Sequence, residues 1–320
     1  MAASKRALVM GNPLALAHAV IGDAWTQLIL REAFHGVRRF TDWSTNLRIP
    51  RTVLSGRLNR LVEAGIMEVK VPPGAKRGEY RLTEMGIDLY GVALMQGMWE
   101  RDHAPSVLQR RYALSFHDAR TGKPIVPAVL DRPGGKPIDP RDVGIVEGPG
   151  LIERSAPAHR RWSGGRAPAE RPMIERSVDI IGDHWSWSIL ACAFLRIRRF
   201  DDMLEATGMA PNILSDRLTR LVGSGILARI PYQTSPVRHE YRLTEAGLEL
   251  YPMVLAMHGW SERWLCDFDD PPLKLVHLST GERITPAVCD LLTGQPIRAR
   301  TTRWRLEAPG TERPRPQPAA

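Results

Sequence analysis

No run of about 18 apolar residues occurs in this 320-residue chain, so a membrane-spanning helix is not expected. Cysteine is scarce: Cys192, Cys266 and Cys289 are the whole complement. Three are too few for a disulfide framework, and a zinc ribbon needs two pairs, so structural zinc is not expected either. The scattered thiols fit a reducing cytoplasm. The stretch following Met1 to Arg6 is too short and too interrupted to read as a signal peptide. The nine histidines form no His-x-x-x-His pair. Dinucleotide, Walker and Gly-x-Ser-x-Gly motifs are missing as well. His18, His103, His117 and His277 are read as structural or exposed. No catalytic residue, metal site or cofactor is expected, and an enzyme falls far behind other readings.

Acidic residues are the scarcer charge. Lys and Arg number 44 against 35 Asp and Glu, a net charge of +9. That favours an anionic partner, with nucleic acid first. An Arg-rich composition also follows from a GC-rich genome, so composition alone does not choose. Hydrophobic residues at 43% and charged residues at 25% fit an ordinary globular chain, long enough for two domains or several smaller ones.

What the sequence does contain is a repeat. Ile21-Gly22-Asp23-Ala24-Trp25 returns as Ile181-Gly182-Asp183-His184-Trp185, and Arg38-Arg39-Phe40 as Arg198-Arg199-Phe200. Leu54-Ser55-Gly56-Arg57-Leu58 returns as Leu214-Ser215-Asp216-Arg217-Leu218. Glu79-Tyr80-Arg81-Leu82-Thr83-Glu84 returns as Glu240 to Glu245, one residue later than the earlier spacing, and Trp99 and Trp260 keep that new spacing. The extra residue implies a loop tip between them. Pro127-Ala128-Val129 is echoed by Pro286-Ala287-Val288. The organisation expected is a first domain at 1–105, a small β appendage at 106–150 and a Pro/Gly/Arg-rich linker at 151–170. A second domain at 171–266, a second appendage at 267–310 and a disordered, Pro-rich tail at 311–320 complete it.

Within one unit, a short helix is expected from Pro13 to Ile21, interrupted by Gly22. Asp23 is placed to cap the next, which carries Trp25, Leu28, Ile29 and Ala33 and ends at Gly36. Phe40 to Leu47 reads as a third helix. After a break at Arg48-Ile49-Pro50, a fourth runs from about Arg51 to Ala64. Leu54, Leu58, Leu61 and Val62 share one face of it, while the opposite face is polar. Two helices joined by a short turn form a helix-turn-helix. Strands at Ile66–Val71 and Glu79–Leu82 enclose the basic tip 72–78 and form a wing. Thr83 is the N-cap of a last helix carrying Leu89, Val92, Leu94, Met95 and Trp99. The fold class is thus mainly α with small β (α+β), two tandem winged helix-turn-helix domains, each followed by a β-rich appendage.

A recognition helix fits the major groove of B-DNA, where Arg reads guanine and Asn reads adenine. The candidate contacts in the first unit are Arg51, Thr52, Ser55, Asn59 and Arg60. Those in the second are Asn212, Ser215, Arg217, Thr219 and Arg220. Arg57 and Arg217 lie at the edge of the face, and either contact phosphate or brace the helix against an acidic neighbour. Lys76 and Arg77 suit a wing on the backbone or minor groove, and Arg238 does so more weakly. Asp216, standing where the first unit has Gly56, would repel phosphate. Cys192, in an apolar stretch, reads as core. Trp43 and Trp187 have no tryptophan counterpart in the other copy and are candidates to line a ligand cavity. The appendages read as small hairpin modules.

The ordered set Ile-Gly-x-x-Trp, Arg-Arg-Phe, Leu-Ser-x-Arg-Leu-x-x-Leu, Gly-Ile and Glu-Tyr-x-Leu-Thr-x-x-Gly resembles HxlR-type winged helix-turn-helix regulators. The resemblance covers about 14–100 and 174–261. It implies a transcription regulator, simplest as a repressor, that binds double-stranded DNA in the cytoplasm on the nucleoid. The family's homodimer would be fused here into a pseudo-dimeric monomer, with higher oligomers open. The resemblance also allows an unknown small-molecule effector. Some relatives sense oxidants through a cysteine just before the first core helix. The matching places here hold Asn12-Pro13 and Pro172-Met173, so that chemistry is not expected. The competing reading is a protein-interaction module in which one winged helix or the appendages hold a protein partner.

Overall fold

A computed structural model describes residues 4–74, 77–103, 113–132, 135–151, 175–267 and 269–307. The linker's Pro/Gly/Arg-rich core, the tail from 311 and Lys76 lie outside them. The first half begins with α1 (Lys5–Met10), α2 (Pro13–Ile21) and α3 (Ala24–Phe34). Asn12 caps α2 by accepting from the Ala15 N–H at 2.8 Å, and Pro13 takes the first helical position, where its missing N–H costs nothing. Asp23 caps α3 through the Thr26 N–H. Then come α4 (Phe40–Leu47), α5 (Arg51–Glu63), β1 (Met67–Lys70) and β2 (Glu79–Leu82). The turn between α4 and α5 passes through Arg48 in the left-handed region, φ 49°.

The last stretch divides into α6 (Glu84–Asp88) and α7 (Tyr90–His103). The Thr83 hydroxyl accepts from the Gly86 N–H and donates to the Gly65 carbonyl, tying α6 to the end of α5. A Cβ on Gly86 would stand 2.2 Å from the Ile66 oxygen, so only glycine lets the helix seat there. Thr244 and Gly247 repeat this, with 2.3 Å to the Ile226 oxygen. The Leu-Thr-Glu-x-Gly pattern is therefore the docking of a short helix on the root of the wing.

The second half repeats the plan as α8 (Glu175–Ile181), α9 (His184–Phe194), α10 (Phe200–Thr207), α11 (Pro211–Gly223), β8 (Leu227–Thr234), β9 (Val237–Leu243), α12 (Glu245–Leu248) and α13 (Tyr251–Trp264). Leu54, Leu58 and Leu61 on α5, and Leu214, Leu218 and Leu221 on α11, are buried. Each contributes on the order of 2 kcal/mol of hydrophobic stabilisation. Trp43 is fully buried and donates its indole N–H to the Ile29 carbonyl at 3.1 Å. Among the described residues no single helix is long and apolar enough to cross a membrane.

The halves meet through reciprocal contacts. The Trp99 indole donates to the Ala246 carbonyl at 2.9 Å, and the Trp260 indole to the Met85 carbonyl at 3.0 Å. His103 bonds Glu249, while Arg263 and Trp264 bond Asp88, the residue that corresponds to Glu249. Buried Glu100 accepts from the backbone N–H groups of Arg176 and Ser177, capping the start of α8 from the other half. The N-terminal α1 packs against α10, with the Lys5 ammonium 2.7 Å from Asp202 and 2.9 Å from Glu205.

The appendages supply β3 (Ala113–Asp118), β4 (Pro124–Ile125), β5 (Pro127–Asp131), β6 (Lys136–Pro137) and β7 (Val143–Glu147) from one side. The other side gives β10 (Leu273–His277), β11 (Pro286–Asp290) and β12 (Thr302–Glu307). Their strands pair across the halves. β3 pairs with β12, β7 with β10, and β5 with β11, all antiparallel, with Val129 directly opposite Val288. Asp131 accepts from the Thr285 N–H and Asp290 from the Val126 N–H, both at 2.8 Å. The two appendages are thus interlaced into one β unit, not two free-standing hairpins.

Candidate nucleic-acid interface

The first recognition face is α5. With Leu54, Leu58 and Leu61 turned inward, Arg51, Thr52, Ser55, Asn59 and Arg60 are all exposed. Among the described residues neither Arg51 nor Arg60 has a carboxylate within 4.0 Å. The Arg51 guanidinium lies 5.8 Å from the Phe40 ring centroid, which steadies it without neutralising it. Arg57 is different. Its Nε donates to Asp23 at 2.8 Å and its side chain is only 13% exposed. Asp23 also caps α3, so one carboxylate fixes the start of α3 and braces α5 against it. Arg77 is exposed on the wing beside α5.

The second face, on α11, repeats the frame with different charges. Asn212, Ser215, Asp216, Thr219 and Arg220 are exposed. Arg217 repeats the brace, its Nε donating to Asp183 at 2.6 Å. Burial works to raise the Asp183 carboxyl, but the bonds from Arg217 and Ser186 hold it below the ordinary carboxylate range. Asp216 takes a second bond from Arg217 and lies 3.5 Å from Arg220. Its charge is met within the helix, and in return it engages the cation at 220. The Thr219 hydroxyl donates to the Ser215 carbonyl at 2.8 Å. Arg238 is exposed on the longer second wing.

Two cationic positions were not singled out from sequence. Arg48 is exposed in the turn before α5 and has no carboxylate partner among the described residues, whereas the second half has Gly208 there, φ 67°. Arg199 sits over the Tyr232 ring of the second wing at 4.6 Å, and its counterpart Arg39 is exposed 3.7 Å from Glu79. The doubled Arg-Arg-Phe pattern was the signal available for Arg39 and Arg199; Arg48 has no arginine counterpart in the second copy.

Other candidates sit inside. Cys192 is fully buried, and burial pushes its thiol up to about 12, while burial also raises Cys289. Neither is placed for thiolate chemistry. Trp43 is locked in the core by its bond to the Ile29 carbonyl, whereas Trp187 borders a cavity at the junction of the halves. Among the described residues no cluster of three or more His, Cys, Asp or Glu could hold a metal ion.

Two helix-turn-helix units, each with a polar outer helix and an adjoining two-stranded wing, place the chain in the winged helix-turn-helix class. Comparison with known proteins narrows this. Residues 20–107 and 180–268 each match the family described as HxlR-like helix-turn-helix. The chain belongs to that family, twice over. It is 37% identical over 131 residues to the uncharacterized HTH-type transcriptional regulator Rv3095 of Mycobacterium tuberculosis, covering 41% of this chain and 83% of that one. It is also 37% identical over 93 residues to the HTH-type transcriptional regulator sll1512 of Synechocystis, covering 29% of this chain and 69% of the relative. The crystal structure of PA1607, described as a candidate transcription factor, matches with 34% identity over 41% of this chain and 91% of its own, at a TM-score of 0.37. Both of these relatives from Mycobacterium tuberculosis and Synechocystis are named as HTH-type transcriptional regulators, and the doubled family match puts this chain in that class.

Proposed function

We propose that the chain is a sequence-specific regulator that binds duplex DNA as a fused pseudo-dimer, with α5 and α11 in successive major grooves and the wings on the backbone or minor groove. The observation that carries this reading is the doubled outward face of α5 and α11, polar and free of packing duty, beside an exposed cationic wing. On α5, Arg51 and Arg60 are free to meet phosphate or guanine, and Asn59 is free to meet adenine. Arg57 and Arg217 hold the helices in place through Asp23 and Asp183 and serve the contact indirectly. The two faces are unlike, so an asymmetric site with half-sites about one helical turn apart is favoured. Covalent fusion makes the second contact intramolecular. Repression by occluding polymerase is the simplest outcome, with the protein on the nucleoid.

The test is charge reversal on the first wing. Lys76→Glu combined with Arg77→Glu removes duplex binding at moderate salt while the melting temperature stays within a degree or two. Unchanged DNA affinity with unchanged folding contradicts the DNA reading. One observation favours a narrower role for the second half: Asp216 engages both Arg217 and Arg220. In that alternative the second winged helix, or the interlaced β unit, holds a protein partner.

A further inference from the structure

At the junction of the halves a cavity of about 120 Å³ opens among α2, α3, α7, α9 and α13. Its walls are apolar and rich in rings, among them Phe34, Tyr90, Phe116, Trp187 and Trp304. Three features set it apart from a packing defect. The first is Gly97, in the interior of α7 and on the cavity wall, where an added Cβ would meet nothing within 4 Å. The corresponding residue of the other half is His258, 3% exposed. The cavity is therefore space that a side chain at 97 would occupy. A mid-helix glycine and an unfilled apolar space both weaken a fold, and here the chain keeps the two together.

The second feature is the indole N–H of Trp187. It is buried and has no acceptor among the described residues. A buried donor without a partner is a costly thing to leave. Its counterpart in the first half, Gln27, lines the same cavity. The third feature is that the polar groups of the wall, among the described residues, are neutral or already paired. His18 stacks on Trp187 at 5.5 Å with the rings 10° apart, and its Nε2 lies 3.0 Å from the Ile181 carbonyl. That carbonyl can only accept, so the hydrogen sits on Nε2 and Nδ1 is an acceptor. Burial pulls His18 down to about 4, leaving it neutral near pH 7. The Gln96 amide donates to Gln27 at 2.9 Å, and Arg31 is paired with Glu32.

We propose that this cavity binds a small, uncharged aromatic molecule bearing a hydrogen-bond acceptor, to which the Trp187 indole N–H donates. At about 120 Å³ its size is of the order needed for one ring; an apolar cavity of about 150 Å³ takes up benzene. The inference goes beyond the DNA reading and is tested on the protein alone, so neither outcome depends on the other.

The experiment is calorimetric titration of the full chain with acetophenone, with benzoate as a charged analogue and ethylbenzene as one lacking the acceptor. Saturable binding of one acetophenone per chain is expected, at least about tenfold tighter than either analogue. Trp187→Phe keeps the ring and removes the N–H, so acetophenone weakens about tenfold and ethylbenzene is unchanged. Gly97→Leu fills the space, abolishing binding while the melting temperature holds or rises. The proposal is overturned if acetophenone shows no saturable binding up to about 5 mM. It is equally overturned if benzoate binds as well as acetophenone, or if a folded Gly97→Leu protein binds like the unaltered chain.

Discussion

At the residue scale, Arg57 and Arg217 separate two roles that look alike in a helical projection. Both lie at the edge of a polar face, but each is turned back on a capping aspartate, Asp23 or Asp183. Spacing along α5 shows which face is polar; it does not show a partner 34 residues upstream. The available signal was that both members of the pair recur together in the repeat. Arg57→Ala should cost roughly 1–3 kcal/mol of stability, as expected for a charge-assisted bond at a part-buried site, and lower DNA affinity only through the helix it positions. Arg60→Ala should leave the melting temperature alone and weaken DNA binding directly. Paired thermal melts and duplex titrations distinguish the two. His18 and His258 give a second prediction. Burial holds each near 4 in the fold, against about 6.5 when unfolded. Below pH 6.5 the unfolded chain takes up protons that the folded chain refuses, so stability falls between pH 6.5 and 4, by roughly 3 kcal/mol per histidine at the acid end. Denaturant titrations across that range should show the decline, and His18→Gln should make it shallower.

At the scale of elements, α2 to α5 were legible because apolar spacing, caps and breakers agree with one another. Pro13, Gly22 and Asp23 set boundaries, and the leucine stripe fixed the inward face of α5; the Asn12 cap before Pro13 was not read from the sequence. The single last helix expected after Thr83 is instead two, α6 and α7, because Gly86 seats the first turn on the Ile66 carbonyl before the chain can turn into the junction. Helix α1 was missed; at six residues it has no periodicity to read and exists by packing on α10. The winged faces carry the salt prediction. Each phosphate contact contributes about 0.9 to the slope of log affinity against log salt. Arg51→Ala should reduce that slope by about one across unrelated sequences if Arg51 meets phosphate. If instead it reads guanine, specificity should relax at one base position.

For the whole molecule, the repeat announced two copies of one plan, yet nothing in it showed how they combine. Strand pairing between β3 and β12, and between β7 and β10, is long-range, and a local pattern of alternation is the same whether a strand pairs within its own copy or across. The interlaced β unit and the reciprocal Trp99 and Trp260 bonds mean that neither half closes its own core. Cutting the chain once between 152 and 174 should therefore leave two pieces that co-elute on size exclusion and melt together. Separation under native conditions would show the halves to be independent.

The central claim is that one chain carries two unlike DNA-reading faces held in fixed relation. Affinity selection of sheared genomic DNA by the full-length protein, followed by sequencing, tests it most directly. The predicted result is a shared motif of two different halves about one helical turn apart, with Arg60→Ala degrading only the first half. A perfect palindrome, a single half-site, or no enrichment by folded protein would contradict it.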